Sequence, residues 1–152
     1  MLKILGPFVA GRAAVALLIV RIVFGVGLVE HGWAKIQHPF SWMQHMPAPA
    51  PPWLQSLAAL SEFGGGLAMI AGLVTPLAML GILCTMGYAL LNVHFPQHQP
   101  YVNVTGDPKV HTFELPVHYF IVALALLVGG PGALSFDAFL FNRPPAPPVY
   151  KP

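Results

Sequence analysis

The chain has 152 residues, 56% of them hydrophobic and only 8% charged, against roughly 25% charged in an ordinary soluble domain. Seven Lys or Arg and five Asp or Glu cannot solvate a globule of that size, and 17 prolines have no place inside helices. The composition therefore describes an all-α, polytopic membrane protein of apolar segments joined by Pro-rich connections. The scattered formal charge of +2 excludes an electrostatic footprint for nucleic acid, and the single cysteine, Cys84, excludes an intrachain disulfide or a Cys-rich metal site.

The first apolar run covers about residues 13–36 and is interrupted by Arg21 and Glu30. It is too long for a signal-peptide core and ends in His31-Gly-Trp33 instead of a small-residue cleavage site, so it reads as a retained helix. The connection that follows contains Met46-Pro-Ala-Pro-Ala-Pro-Pro52, which cannot be helical and is expected to run extended. A second run covers 54–74 and a third 76–94, joined by Val74-Thr75-Pro76, a hairpin tight enough to make the two helices antiparallel neighbours. Phe95 to His111 is a polar loop. The fourth run covers 112–130, with Thr112 as the expected N-cap and Glu114 and Pro116 in the first turn. At 1.5 Å per residue each run crosses a hydrocarbon core of about 30 Å. The expected architecture is an antiparallel four-transmembrane-helix bundle over residues 1–142, with a short interfacial helix at Ser135 to Phe141 and a Pro-rich tail at 143–152.

Lys3, Arg12, Arg143 and Lys151 fall on the side of the termini, and Lys35 and Lys109 on the other, which places both termini in the cytoplasm. On that topology His31, His38, His45, His94, His98, His111 and His118 all lie at or beyond the outer helix ends. Trp33, Trp42 and Trp53 read as interfacial anchors, and Cys84 as a small buried thiol.

An ionisable group in mid-bilayer costs about 2.5–3.5 kcal/mol unless it faces the protein interior and finds a partner. Arg21 shares a stripe with Gly25, Leu28, Gly32 and Lys35, the pattern of a packing seam whose glycines admit a neighbouring helix. Glu62 shares a face with Gly66, Met69 and Leu73. With the inner ends of the two helices level, Arg21 and Glu62 differ in depth by roughly 6 Å, and an ion pair between them is expected. Such a pair serves register alone or takes part in chemistry. Glu114 and His118 stand one turn apart on a stripe through Ile121, Ala125 and Val128, and are expected to converge with His94 and with His31, preferred over Glu30, in one outer layer. That layer offers carboxylates for proton transfer and imidazoles as donors or ligands. Its occupant is a quinone or another small apolar redox molecule, a metal, a haem, or nothing; the paired Glu-x-x-His motifs of di-iron bundles are absent.

Arg21-x-x-x-Gly25, His31-Gly32-x-x-Lys35, Glu62-Phe-Gly-Gly-Gly-Leu67, Gly72-Leu-Val-Thr75, His94, Glu114 and Gly130-Pro-Gly-Ala-Leu-Ser-Phe-Asp137 together resemble the DoxX family of small four-helix bacterial membrane proteins, over about Val20 to Leu140. The resemblance implies kinship with the small subunit of thiosulfate:quinone oxidoreductase, with other members tied to thiol and oxidative-stress partners. The expected function is that of an inner-membrane subunit of a quinone-linked redox assembly. Glu62, Glu114, His118 and Arg21 are its candidate catalytic residues, and His94, His31 and Lys35 line the cofactor. The alternative is a non-catalytic accessory subunit that packs against a larger membrane complex, with the 46–52 segment and the tail as docking straps; a homo-oligomer is a further form of assembly.

Overall fold

The computed structural model describes residues 8–46 and 48–141. The Pro-rich tail at 143–152, and with it Arg143 and Lys151, lies outside the described residues, as do Lys3 and Pro47. The described residues hold helices and no strand: α1 (Arg12–Gln37), α2 (Pro52–Ala71), α3 (Thr75–Ala89), which continues through a π-helical turn at Leu90–His94, α4 (Glu114–Gly129) and α5 (Phe136–Phe141). Three of them, counting α3 with its π-helical turn as Thr75–His94, are long and apolar enough to cross a membrane, and α4 is a shorter apolar helix of 16 residues. Their outer faces are apolar, with Leu77 and Val128 mostly exposed, the pattern of a surface that meets lipid.

Prolines at the first turns set where α2 and α3 begin, since their missing N–H would be unbonded there anyway. Pro51 just before α2 is extended (φ −52°, ψ 144°). Gly72 ends α2 in the left-handed conformation (φ 64°). Val74 then turns the chain with a positive φ of 49°, an uncommon conformation for a β-branched residue. Helix α4 starts two residues later than the sequence suggests. Phe113 occupies its N-cap and no side chain caps it, so Thr112 does not have the expected role.

Helices α1 and α2 pack on the expected stripes. Arg21, Gly25, Leu28 and Gly32 are buried on α1, and Glu62, Gly66 and Met69 on α2. A Cβ on Gly25 would come 2.9 Å from the Gly66 carbonyl oxygen, one on Gly66 equally close to that of Gly25, and one on Gly32 would come 2.5 Å from the Phe63 nitrogen. The seam thus brings backbone against backbone. Next to it, Leu28, Met69, Met79, Ile82, Met86, Tyr119, Ala123 and Leu126 join all four long helices in one core.

The register differs from the sequence expectation. Gly25 lies against Gly66 and Ile70, Gly32 against Phe63, and Arg21 beside Gly72. Helix α1 therefore extends about ten residues below the end of α2, and the inner ends are not level. The segment after α4 fills this step: Ala133 N–H donates to the Val9 carbonyl (2.8 Å), Arg21 Nη2 donates to the Leu134 carbonyl, and Gly132 packs on Ala14 and Leu17. Asp137, buried at the start of α5, accepts from Val74 N–H (2.7 Å) and Thr75 N–H (2.8 Å), and its own N–H donates to the Gly72 carbonyl (2.8 Å). A residue from the far end of the chain thereby caps the N-terminus of α3.

Candidate functional site

The register places Glu62 one turn below Lys35. Side chains on a helix lean toward its N-terminus, so the Lys35 stem reaches down α1 onto the carboxylate. Lys35 Nζ lies 2.6 and 2.5 Å from the two Glu62 oxygens, with 5% of the Glu62 side chain exposed and 25% of that of Lys35. This is the one ion pair within 4 Å among the described residues. The expected Arg21–Glu62 pair does not form. Arg21 lies level with Gly72, ten residues further along α2 and so about 15 Å deeper than Glu62 at 1.5 Å per residue. Its guanidinium donates to the Leu134 carbonyl within electrostatic range of Asp137, and its Nε and Nη1 have no partner among the described residues.

Above the pair, the Trp42 ring lies 4.6 Å from Lys35 Nζ, close enough for cation–π attraction. Trp42 is an inward-facing residue and not the interfacial anchor expected from sequence. Its Nε1–H donates to the Gln55 backbone carbonyl (3.0 Å). The Gln55 side chain ties the same loop to α2, accepting from Met43 N–H (3.0 Å) and donating to the Ala50 carbonyl (2.7 Å). The loop between α1 and α2, turned over residues 39–45 and extended at Pro51, is therefore pinned over the Lys35–Glu62 pair.

Beneath this loop a cavity of about 550 Å³ runs between α2 and α3, with Lys35, Glu62 and Trp42 in its wall and a largely apolar lining. Ser61, Thr85, Tyr88 and the Cys84 thiol add isolated polar atoms. Cys84 is exposed along this wall and not buried in the core. A volume of this size, apolar with a few convergent polar groups, is typical of small-molecule sites. Sequence reasoning found Lys35 and Glu62 and missed the rest. Leu77, Gly81, Cys84 and Tyr88 recur at helical spacing on α3, and Leu54, Ala58 and Ser61 on α2. The signal was thus a stripe of small and weakly polar residues, hidden by the expectation that such residues serve only packing.

The outer layer of histidines and Glu114 does not assemble. The buried face of α4 is Tyr119, Ala123 and Leu126, while Ile121, Ala125 and Val128 on the Glu114–His118 stripe are exposed. The stripe therefore turns away from the core, and His118 Nε2 meets Tyr101 Oη at 3.3 Å. His94 sits in the π-helical turn and bonds Gln99 (2.5 Å). His31 bonds its own helix at the Gly27 carbonyl (3.0 Å), edge-on to Tyr119. No group of three His, Cys, Asp or Glu residues among the described residues is placed to hold a metal.

The motifs that carry the family resemblance meet at two places. Arg21, Gly72-Leu-Val-Thr75 and Gly130 to Asp137 form a clasp at the end of the bundle where α1 begins, while Gly32, Lys35 and Glu62 form the α1–α2 contact beside the cavity. The DoxX family model matches residues 16–95. The inner membrane protein YphA of Escherichia coli K12 is 32% identical over 130 residues, covering 81% of this chain and 89% of the relative. The inner membrane protein YqjF of the same organism is 29% identical over 130 residues, covering 85% of this chain and 95% of the relative. No solved structure matches the chain. The match over more than half the chain, with these full-length relatives, establishes that the chain is a membrane protein and belongs to the DoxX family.

Proposed function

We propose that the chain is an integral subunit of a quinone-linked redox assembly in the bacterial inner membrane, crossing four times as an antiparallel bundle with both termini cytoplasmic. The inner-membrane relatives support the location. The fourth crossing is α4, whose 16 residues reach about 24 Å and need slight local thinning of the bilayer.

The observation that carries the ligand reading is a charged pair at the wall of a largely apolar cavity. The residues fit a quinone headgroup: an apolar lining, the Trp42 ring, a cationic donor and an anionic acceptor side by side. Lys35 Nζ would donate to a carbonyl oxygen, and a Glu62 carboxylate oxygen would take or return the proton of a hydroxyl. Gln55 holds Trp42 in place and helps exclude water. When bound, a quinone supplies two-electron, two-proton chemistry, with a metal or flavin centre on a partner subunit as the other electron carrier. Arg21 serves the inner clasp in this reading, and Glu114, His118, His94 and His31 stay outside the cavity.

The test is organic extraction of the protein purified in mild detergent. Stoichiometric quinone is expected, falling at least tenfold in Lys35→Met and in Glu62→Gln while both variants remain folded. The accessory-subunit reading is favoured by one observation, that Lys35 and Glu62 already satisfy each other. Empty protein that still co-purifies with a larger complex would establish it.

A further inference from the structure

The cavity is far longer than a headgroup requires. Its α3 wall runs from Leu77 to Val93, about 24 Å at 1.5 Å per residue, and because Gly81 lies against Ser61 the charged pair stands near the level of Gly81, with cavity on both sides of it. The cavity also has an open side. Leu57, Leu77 and Leu80 line it and are more than half exposed, and Cys84 beside them is exposed as well. In a membrane these residues face hydrocarbon, so the cavity opens sideways into the bilayer. The loop pinned by Gln55 covers the outer end, where Met43, Ala50 and Val93 complete the wall. An occupant would then enter from the lipid, with its polar end at Lys35 and Glu62 and the rest running down the α2–α3 groove toward Leu77.

Resting on the reading of the cavity as a quinone site, we infer that this groove is a lateral slot for the isoprenoid chain, so that the protein selects chain-bearing quinones over free rings. The pair narrows the occupant to one with a neutral polar head: Lys35 and Glu62 together carry no net charge, so the attraction of the ammonium for an acidic head is offset by the carboxylate, and fatty acids and anionic phospholipids gain nothing there. Gly81 lies against Ser61 beside the pair, where a Cβ would come 3.0 Å from Ser61 Oγ, so the wall there has no room for a side chain.

The test uses the full chain in quinone-free vesicles and a benzoquinone with a fully substituted ring, bearing a decyl chain that ends in a photoreactive diazirine. Adducts located by mass spectrometry are expected between Leu77 and Leu80, suppressed by excess decyl quinone and much less by the same ring without a chain. Leu77→Trp, at an exposed position at the far end of the groove, is expected to weaken decyl-quinone binding at least tenfold and to leave the chainless ring unchanged. If the chainless ring competes as well as the decyl quinone, and adducts scatter over the lipid-facing helices, the slot is wrong while the headgroup site stands. If no quinone suppresses any adduct, the quinone reading itself fails and the slot with it. Competition by oleate or a phospholipid in place of quinone would assign the groove to an acyl lipid and overturn the inference.

Discussion

Lys35 and Glu62 show how a buried charge survives inside an apolar helix pair. The carboxylate takes both its bonds from a single ammonium, and that ammonium keeps partial contact with solvent and with the Trp42 face. Removing the lysine strands a buried anion, which costs more than removing the pair as a whole. Lys35→Met is therefore expected to lower stability by about 2–3 kcal/mol, and Lys35→Met with Glu62→Leu to recover most of that loss. Thermal unfolding of the four corners of this cycle in detergent measures it. Gln55 acts through the loop. Gln55→Ala removes two side-chain hydrogen bonds worth about 1 kcal/mol each, and should speed hydrogen exchange at Met43 with little change at Met69 in the core. Sequence identified the buried stripe from Arg21 to Lys35 but gave Glu62 the wrong cation. Periodicity reports which face of a helix is buried, whereas which residue lies opposite depends on the axial offset, and nothing local encodes that.

That offset is visible at the scale of the elements. The α1–α2 seam is held in register by glycines that leave no room for a side chain, so overpacking there costs about 1–3 kcal/mol. Gly32→Ala, whose Cβ would meet the Phe63 backbone, should lose that much in thermal unfolding, while Gly129→Ala, with nothing within 4 Å, should be neutral. Asp137→Ala strips α3 of its cap. A loss of about 1–2 kcal/mol is expected from the two N–H groups left unbonded, with exchange rising first at Val74 and Thr75. The helices themselves were legible because long apolar runs bounded by proline admit few other readings. The outer His and Glu layer was not. Helix α4 is apolar almost all round, so its polar residues do not announce which face is inside, and neighbouring helices decided that.

For the whole molecule, the proposed four-crossing topology with cytoplasmic termini makes a direct prediction. In a Cys84→Ala background, Val104→Cys should react with a membrane-impermeant thiol reagent in intact cells, while Ala10→Cys and Leu140→Cys should react only after lysis. Labelling of Leu140→Cys together with Val104→Cys would mean that α4 does not cross. The clasp has a further consequence for biosynthesis. Asp137 follows Val74, whose N–H it accepts, by 63 residues, and at 5–20 residues per second a ribosome needs about 3–13 s to supply it. During that interval α3 is made without its cap, its positive-φ turn at Val74 is unsupported, and Arg21 lacks its carbonyl partner. The first three helices must wait in the membrane as a provisional assembly, open to chaperones and proteases, and maturation is complete only when the last short helix arrives and locks the inner end.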